Sequence, residues 1–285
     1  MRYHVDRIIF NFADRCNLGC AFCYVPFDGR GYGDLSLWQR IIAQCEIWRP
    51  RMITFEGGDP FNYCDFPLLL QRIARDGLFV QVDSNALGLR DQHIPILKEA
   101  VNLVSLPLEG PKDIHSRMRN HHSHFDIVLS WIERLLEEEI PVKVNTVVTS
   151  VNIGTLEELA LLLRNFPIDL WTLYQFWPIG PGKTNRVQFE LPEEDFAKIT
   201  SSIAMRYTFT RIEVSRISNR LLSYFFVRST GSVYVVRKDD PEEYVELGSA
   251  FDHDILDKWL KHVNPEAVQD RTNLRMTSSR KRRKH

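Results

Sequence analysis

The chain is expected to fold as an α/β protein: a partial TIM-like (β/α)6 barrel with a small C-terminal α+β region. Three observations predict this. Apolar, β-branched runs alternate with helix-patterned stretches, the alternation recurs six times before about residue 180, and it then breaks down. With 285 residues there is room for one large domain and an appendage.

The expected strands are Arg7 to Ala13, Met52 to Phe55, Phe79 to Asp83, Leu103 to Leu108, Val142 to Thr149 and Leu170 to Phe176. Helical stretches fall between them, near Leu35 to Trp48, Phe66 to Asp76, Gln92 to Ala100, Phe125 to Glu139 and Leu156 to Asn165. Ser123 with Asp126 and Thr155 with Glu158 fit helix caps with an acidic residue three positions on, and Pro141 fits a helix stop. Right-handed crossovers would curl residues 5–180 into a barrel open on one side, with reactive groups at the C-terminal ends of its strands. A helix from Pro192 to Tyr207 and strands at Arg211 to Val214 and Ser232 to Val236 follow. Residues 181–275 are thus expected to cover the open side or mouth, and residues 276–285 to form a basic disordered tail.

Composition narrows the function classes. Hydrophobic content of 44% with 26% charged residues is that of a soluble globular protein, and no run approaches the roughly twenty apolar residues of a membrane span. The first residues lack the apolar stretch of a signal peptide, so a cytoplasmic location and no membrane partner are expected. Setting aside the five basic residues at 280–284 leaves 31 basic against 37 acidic residues, a balance unlike that of a nucleic-acid groove. Five cysteines, an odd number, argue against a disulfide framework.

Three of those cysteines carry the strongest signal. Cys16, Cys20 and Cys23 are spaced x3 then x2 directly after the first strand. Three thiolates hold three corners of a four-iron, four-sulfur cluster and leave one iron open for chemistry. A structural three-cysteine zinc site would need a fourth ligand. Gly19 lets the thiolates come round, and Asn17 and the loop amides are candidate donors to the cluster sulfurs. Cys45 and Cys64 read as buried small hydrophobes.

With aromatic Phe22 and Tyr24 beside the last cysteine, and Gly57-Gly58-Asp59-Pro60 downstream, the chain resembles the radical S-adenosylmethionine (radical SAM) enzymes. The second motif there is usually Gly-Gly-Glu-Pro, so Asp59 departs from it by one methylene. The resemblance implies a [4Fe-4S] cluster whose open iron chelates the methionine end of S-adenosylmethionine (SAM). It also implies reductive cleavage to a 5′-deoxyadenosyl radical that takes a hydrogen atom from a small-molecule substrate. A reductase system such as flavodoxin or ferredoxin would supply the electron. No cysteine follows Cys64, so the chain's own thiolates provide for one cluster.

The resemblance also implies roles for individual residues. Phe22 or Tyr24 would present backbone to the adenine. Gly57, Gly58 and Asp59 would hold the SAM amine, with Glu56 as a substitute for the shorter Asp59. Ser84 and Asn85 would meet the SAM carboxylate or ribose, or else cap a turn. In the stretch from Glu109 through Ile114, His115 and Arg117, Arg119 is the choice for the SAM carboxylate. His115, His121, His122 and His124 read as solvated surface rather than a second metal site.

Lys143 and Asn145 share one side of an apolar strand, which a buried core would reject. Both are expected to face a barrel interior, Asn145 toward SAM and Lys143 toward substrate. Gln175 is the comparable exception on the sixth strand, where Tyr174 and Trp177 would form a stacking wall for a flat substrate or simply pack in the core.

Residues 214–231, together with the fifth and sixth strands, look like viperin-like enzymes, which dehydrate the ribose of cytidine triphosphate. The basic residues flanking the sixth-strand tryptophan of those enzymes are replaced by Leu170 and Thr172. A triphosphate is therefore not expected, and the expected substrate is a nucleoside, nucleotide or sugar-like metabolite, as in natural-product biosynthesis. A peptide-modifying enzyme acting on a ribosomal precursor, a viperin-like nucleotide dehydratase and a non-catalytic cluster protein are the alternatives.

Overall fold

The computed structural model describes residues 5–13, 15–27, 33–74 and 77–279. Six β/α repeats come first: β1 (Arg7–Asn11), α1 (Leu35–Trp48), β2 (Met52–Glu56), α2 (Phe66–Ile73), β3 (Phe79–Asp83), α3 (Ile94–Ala100), β4 (Leu103–Pro107), α4 (Lys112–Arg119), α5 (His124–Glu137), β5 (Val142–Val148), α6 (Leu156–Leu163) and β6 (Leu170–Gln175). Then follow α7 (Pro181–Thr184), α8 (Arg186–Phe189), α9 (Glu193–Arg206), β7 (Arg211–Ser215), α10 (Ile217–Arg220), β8 (Phe226–Arg228), β9 (Ser232–Val236), β10 (Tyr244–Ser249), α11 (Ile255–Leu260) and α12 (Pro265–Ser279).

The ten strands among the described residues join one sheet in the order β10-β9-β8-β1-β2-β3-β4-β5-β6-β7. It is parallel from β8 through β7, and β9 and β10 add antiparallel at the β8 edge. The residues after 180 thus extend both edges of the sheet: β7 prolongs it past β6, and β8 lies against β1.

Period-two alternation sorts each strand into two faces. Ile8, Phe10, Ile53, Phe55, Val80, Val82, Val104, Leu106, Val144, Trp171 and Leu173 pack outward under the helices in one continuous core. The opposite face carries Arg7 and Asn11, Thr54 and Glu56, Gln81 and Asp83, Ser105, Lys143 and Asn145, Thr172 and Tyr174, and Glu213 and Ser215. The inside of the barrel is therefore polar. Buried polar groups persist only where they are bonded or meet a ligand, so this face is the place to look for chemistry.

Helix α12 closes the bottom of the barrel rather than its mouth. Its Met276 packs on Met52, Phe79 and Leu103 at the N-terminal ends of their strands. Arg275 is fully buried and ion-paired to Glu213 at 3.0 Å. The first residues of the expected tail are thus helical through Ser279, and residues 280–285 lie outside the described residues.

Other local expectations change as well. Asp34 caps α1 by accepting from Leu37 N at 2.8 Å, whereas Ser123 and Thr155 precede α5 and α6 without a capping bond. Cys45 packs partly buried against the core, but Cys64 is exposed. Among the described residues no helix is long and apolar enough to cross a membrane.

Candidate active site

The loops that leave the C-terminal ends of β1, β2 and β3 meet around one cavity of about 530 Å³. Cys16, Cys20 and Cys23 line it, together with Gly57, Gly58, Ser84, Asn85, Arg119 and Asn145. The cysteine loop is tied to the chain beyond β6: Gly182 N donates to Cys23 O at 2.8 Å, and Asn185 Nδ2 to Ala21 O at 3.1 Å. Three donors approach the sulfurs. Leu18 N lies 3.4 Å and Asn85 Nδ2 3.5 Å from Cys16 Sγ, and Arg119 Nη1 lies 3.6 Å from Cys20 Sγ. Asn17, expected as a donor, instead accepts through Oδ1 from Asn85 Nδ2 at 2.6 Å.

Both glycines after β2 need the left-handed region, with φ of 75° at Gly57 and 67° at Gly58. A Cβ would sit 2.9 Å from Asn11 Cα at the first and 2.5 Å from Arg15 O at the second, so the β2 turn packs directly on the chain leaving β1. Asp59 does not reach the cavity. It is fully buried, and its carboxylate accepts from Phe61 N at 2.9 Å, Ser84 Oγ at 2.9 Å and Asn85 N at 3.1 Å. Burial pushes its pKa up to about 6 despite those donors. The shorter side chain thus serves the β3 loop, while Glu56 lines the cavity. Ser84 and Asn85 directly follow β3. They turn the chain, accepting from Ala86 N at 3.0 Å and Leu87 N at 3.0 Å, and they line the cavity.

Arg119 forms an ion pair with Glu109, whose other oxygen accepts from Val147 N at 2.7 Å. Burial works against the Arg119 charge, but the Glu109 carboxylate more than offsets it and raises the guanidinium pKa. The guanidinium also lies over the Phe22 ring, 5.1 Å from its centroid.

The histidines correct the sequence expectation: His115 and His124 are fully buried. Glu109 N donates to His115 Nδ1 at 3.1 Å, which makes His115 Nε2 the protonated nitrogen; it donates to His124 Nδ1 at 2.7 Å. His124 Nε2 then donates to Asn85 O at 2.7 Å. Hydrogen-bond direction alone thus assigns both tautomers. Burial lowers both rings, His115 to about 2 and His124 to about 4, so the pair is neutral and props the Asn85 loop against α4 and α5.

Farther in, Asn145 Nδ2 donates to Asp83 Oδ2 at 3.2 Å. Lys143 is on the interior face but beneath the cavity wall, with Nζ 3.0 Å from Tyr174 Oη. Tyr174, Gln175 and Trp177 line the cavity. Tyr24 donates to Glu56 and stacks on Trp177 with ring centroids 6.5 Å apart. Gln175 spends its side chain on structure, Oε1 accepting from Ile217 N at 2.9 Å. Arg7, Ser105, Arg220 and Tyr224 also line the cavity and were not anticipated. Arg7 and Asn11 bracket β1 with the same polar parity that singled out Lys143 and Asn145, a signal masked by the apolar run between them.

The site fits a cluster and an amino-acid-bearing cofactor. Among the described residues no three His, Cys, Asp or Glu side chains gather tightly enough for one ion, whereas a cuboidal cluster takes each thiolate on a different iron. Arg7 Nε and Nη1, Ser105 Oγ, Arg119 Nε and Asn145 Oδ1 are buried without partners on the cavity wall. Each such atom costs about 1–3 kcal/mol until something bonds it.

Comparison with known proteins agrees. The Radical SAM superfamily matches residues 10–163, just over half of the chain. The chain is 27% identical over 65% of its length to the AdoMet-dependent heme synthase of Oleidesulfovibrio alaskensis. It spans 52% of that protein's length and 58% of the GTP 3′,8-cyclase of Clostridium perfringens. It is also 22% identical over 89% of its length to the S-adenosylmethionine-dependent nucleotide dehydratase of Selenomonas ruminantium, of which it spans 92%.

Among solved structures, anSMEcpe with bound AdoMet superposes with a TM-score of 0.70 at 16% identity, over 93% of this chain and 81% of that one. SuiB of Streptococcus suis gives 0.69 at 16%, over 94% and 68%. These two likenesses are of fold. A cysteine triplet and a Gly-Gly turn closing over one cavity, in a chain matched by the superfamily across more than half its length, place this protein in the radical SAM superfamily, with a [4Fe-4S] cluster and SAM as its cofactors.

Proposed function

We propose that this radical SAM enzyme acts on a small molecule of nucleoside, nucleotide or sugar-like type. When bound, the reduced cluster cleaves SAM to a 5′-deoxyadenosyl radical that abstracts a substrate hydrogen. The enzyme needs an electron donor, for which a flavodoxin or ferredoxin is the proposed class.

The observation that carries the reading is one cavity lined both by the cysteine and Gly-Gly loops and by aromatic residues of the later elements. Cys16, Cys20 and Cys23 would hold three irons. Gly57 and Gly58 carbonyls, Glu56, Ser84, Asn85 and Asn145 would hold SAM, with the Arg119 guanidinium on its carboxylate. Phe22 and Tyr24 would flank the adenine. Tyr174, Trp177 and Tyr224 would wall a flat substrate. Asp59, Lys143 and Gln175 would act through neighbours: Asp59 on the β3 loop, Lys143 on Tyr174, and Gln175 on α10. The near full-length similarity to a nucleotide dehydratase favours a nucleotide-like substrate over a peptide.

The test is an anaerobic assay with reconstituted cluster, dithionite and SAM against nucleosides, nucleotides, sugars and peptides, read by mass spectrometry. One small-molecule class should raise 5′-deoxyadenosine above the uncoupled background and change mass. Stimulation by peptides alone would refute the substrate class. A Cys20→Ala protein that still forms 5′-deoxyadenosine would refute the cluster assignment.

A further inference from the structure

The barrel interior holds more cations than anions, and three of the cations, Arg7, Lys143 and Arg220, form no ion pair among the described residues. Arg7, Lys143, Arg220, Arg271 and Arg275 are buried there. Glu213 takes two of them, with Arg275 at 3.0 Å and Arg271 at 3.8 Å. Lys143 is held by Tyr174, and burial lowers its pKa well below the lysine range. Among the described residues Arg7 and Arg220 form no ion pair, and both line the cavity.

The two are fixed in place yet underused. Arg7 gives Nη2 to Thr54 Oγ1 at 3.3 Å, while its Nε and Nη1 are buried with no partner. Arg220 donates Nη2 to Gln175 O and Nε to Arg216 O at 3.4 Å, leaving Nη1 without a described acceptor. Its guanidinium lies over the Trp177 ring at 4.6 Å and the Tyr174 ring at 5.5 Å. Burial lowers both arginines, as expected of cations that lack their anion.

Arg7 also lies far from the thiols. It opens β1, roughly 13 Å along the strand below Asn11, whereas the cysteine loop follows the strand's other end. The SAM carboxylate has its own arginine at that upper end.

We infer that Arg7 and Arg220, both on the wall of this cavity, supply its anion-binding donors, and that the substrate presents a carboxylate or a phosphate to them. This deepens the proposed function and rests on it. Leu170 and Thr172 suggest a weakly charged substrate only as long as β6 is taken as the source of positive charge. The fold brings that charge instead from β1 and α10. Guanidinium N–H groups match both oxyanions, so the two sources share one recognition chemistry.

The test is calorimetric titration of the cluster-loaded, SAM-bound protein with inorganic pyrophosphate and, separately, succinate, at ionic strength held constant with chloride. At least one anion should bind, and the one that does names the source. Arg220→Gln and Arg7→Gln should each weaken it by about tenfold or more. Arg237→Gln, an exposed arginine paired to Asp239, should not. Should Arg7→Gln fail to fold by circular dichroism, Arg220→Gln carries the test alone. Binding of neither anion, or unchanged affinity in the folded variants, overturns the inference. Formation of 5′-deoxyadenosine by the same preparation shows whether the proposed function stands independently of that result.

Discussion

Removing the Glu109 carboxylate tests whether the Arg119 site is as desolvated as it looks. Glu109 is fully buried and Arg119 is 15% exposed, so in Glu109→Ala the guanidinium loses its counter-ion in a place water hardly reaches. Breaking a buried pair from one side costs about 3–5 kcal/mol. Val147 N–H loses its acceptor too, adding about 1–3 kcal/mol. Arg119→Met strands the carboxylate and should cost about 3 kcal/mol, less than an unrelieved charge because Glu109 can take up a proton.

The double variant leaves neither charge, and only the Val147 donor is orphaned. Its cost should fall well below the sum of the two single losses, with a coupling of about 3 kcal/mol. Urea unfolding of the reduced apoprotein, followed by tryptophan fluorescence, measures all three. Additive losses, with a coupling under about 0.5 kcal/mol, would refute the desolvated pair.

Two further outcomes follow from neighbouring groups. Asp59→Ala should lose about 2–5 kcal/mol, because the Phe61, Ser84 and Asn85 donors are left buried, whereas Glu56→Gln should weaken SAM or substrate binding with little change in unfolding free energy. Calorimetry and urea melts on both separate the roles, and an Asp59→Ala protein of full stability that cannot bind SAM would restore the direct contact expected from the motif. The His115–His124 pair makes stability depend on pH: the unfolded rings take protons below about 6.5 while His124 resists to about 4, so stability is full above 6.5 and falls by about 1.4 kcal/mol per unit per ring below it. Asp59, raised to about 6, acts in the opposite sense, losing stability as pH rises toward that value. His124→Gln should flatten the acid limb in urea melts from pH 4 to 7, and an unchanged slope would mean that the ring is not held neutral.

The barrel was legible residue by residue because local pattern dictates it. Apolar β-branched runs can be only strands here, and the intervening stretches carry helical spacing; all six expected helices and all six expected barrel strands lie within a few residues of their observed bounds, residues 75–76 at the end of the second expected helix lying outside the described residues. The cysteine loop was legible as a unit, and the structure brings its three thiols to one cavity. Lys143 and Asn145 announced the polar interior because a parallel strand rejects such residues without cause.

Other features depended on partners distant in sequence. Strands β8 and β10 are too short or too exposed to advertise themselves, and what recruits them is the free edge of β1 and its extension. His115 and His124 look like surface until α4 and α5 bury them together. Arg275, the last residue before the expected tail, shows no sign of burial until Glu213 and Tyr174 are found beneath the barrel.

By itself, then, the sequence determined the β/α order, the cysteine triplet proposed to hold the cluster and the superfamily, because each is written in neighbouring residues. Only the tertiary structure decided which polar groups face the cavity and which are satisfied beneath it. Asp59 turned away to the β3 loop while Arg7 and Arg220 were left with unspent donors, since a side chain's partners are set by what packs against it and not by what adjoins it in the chain.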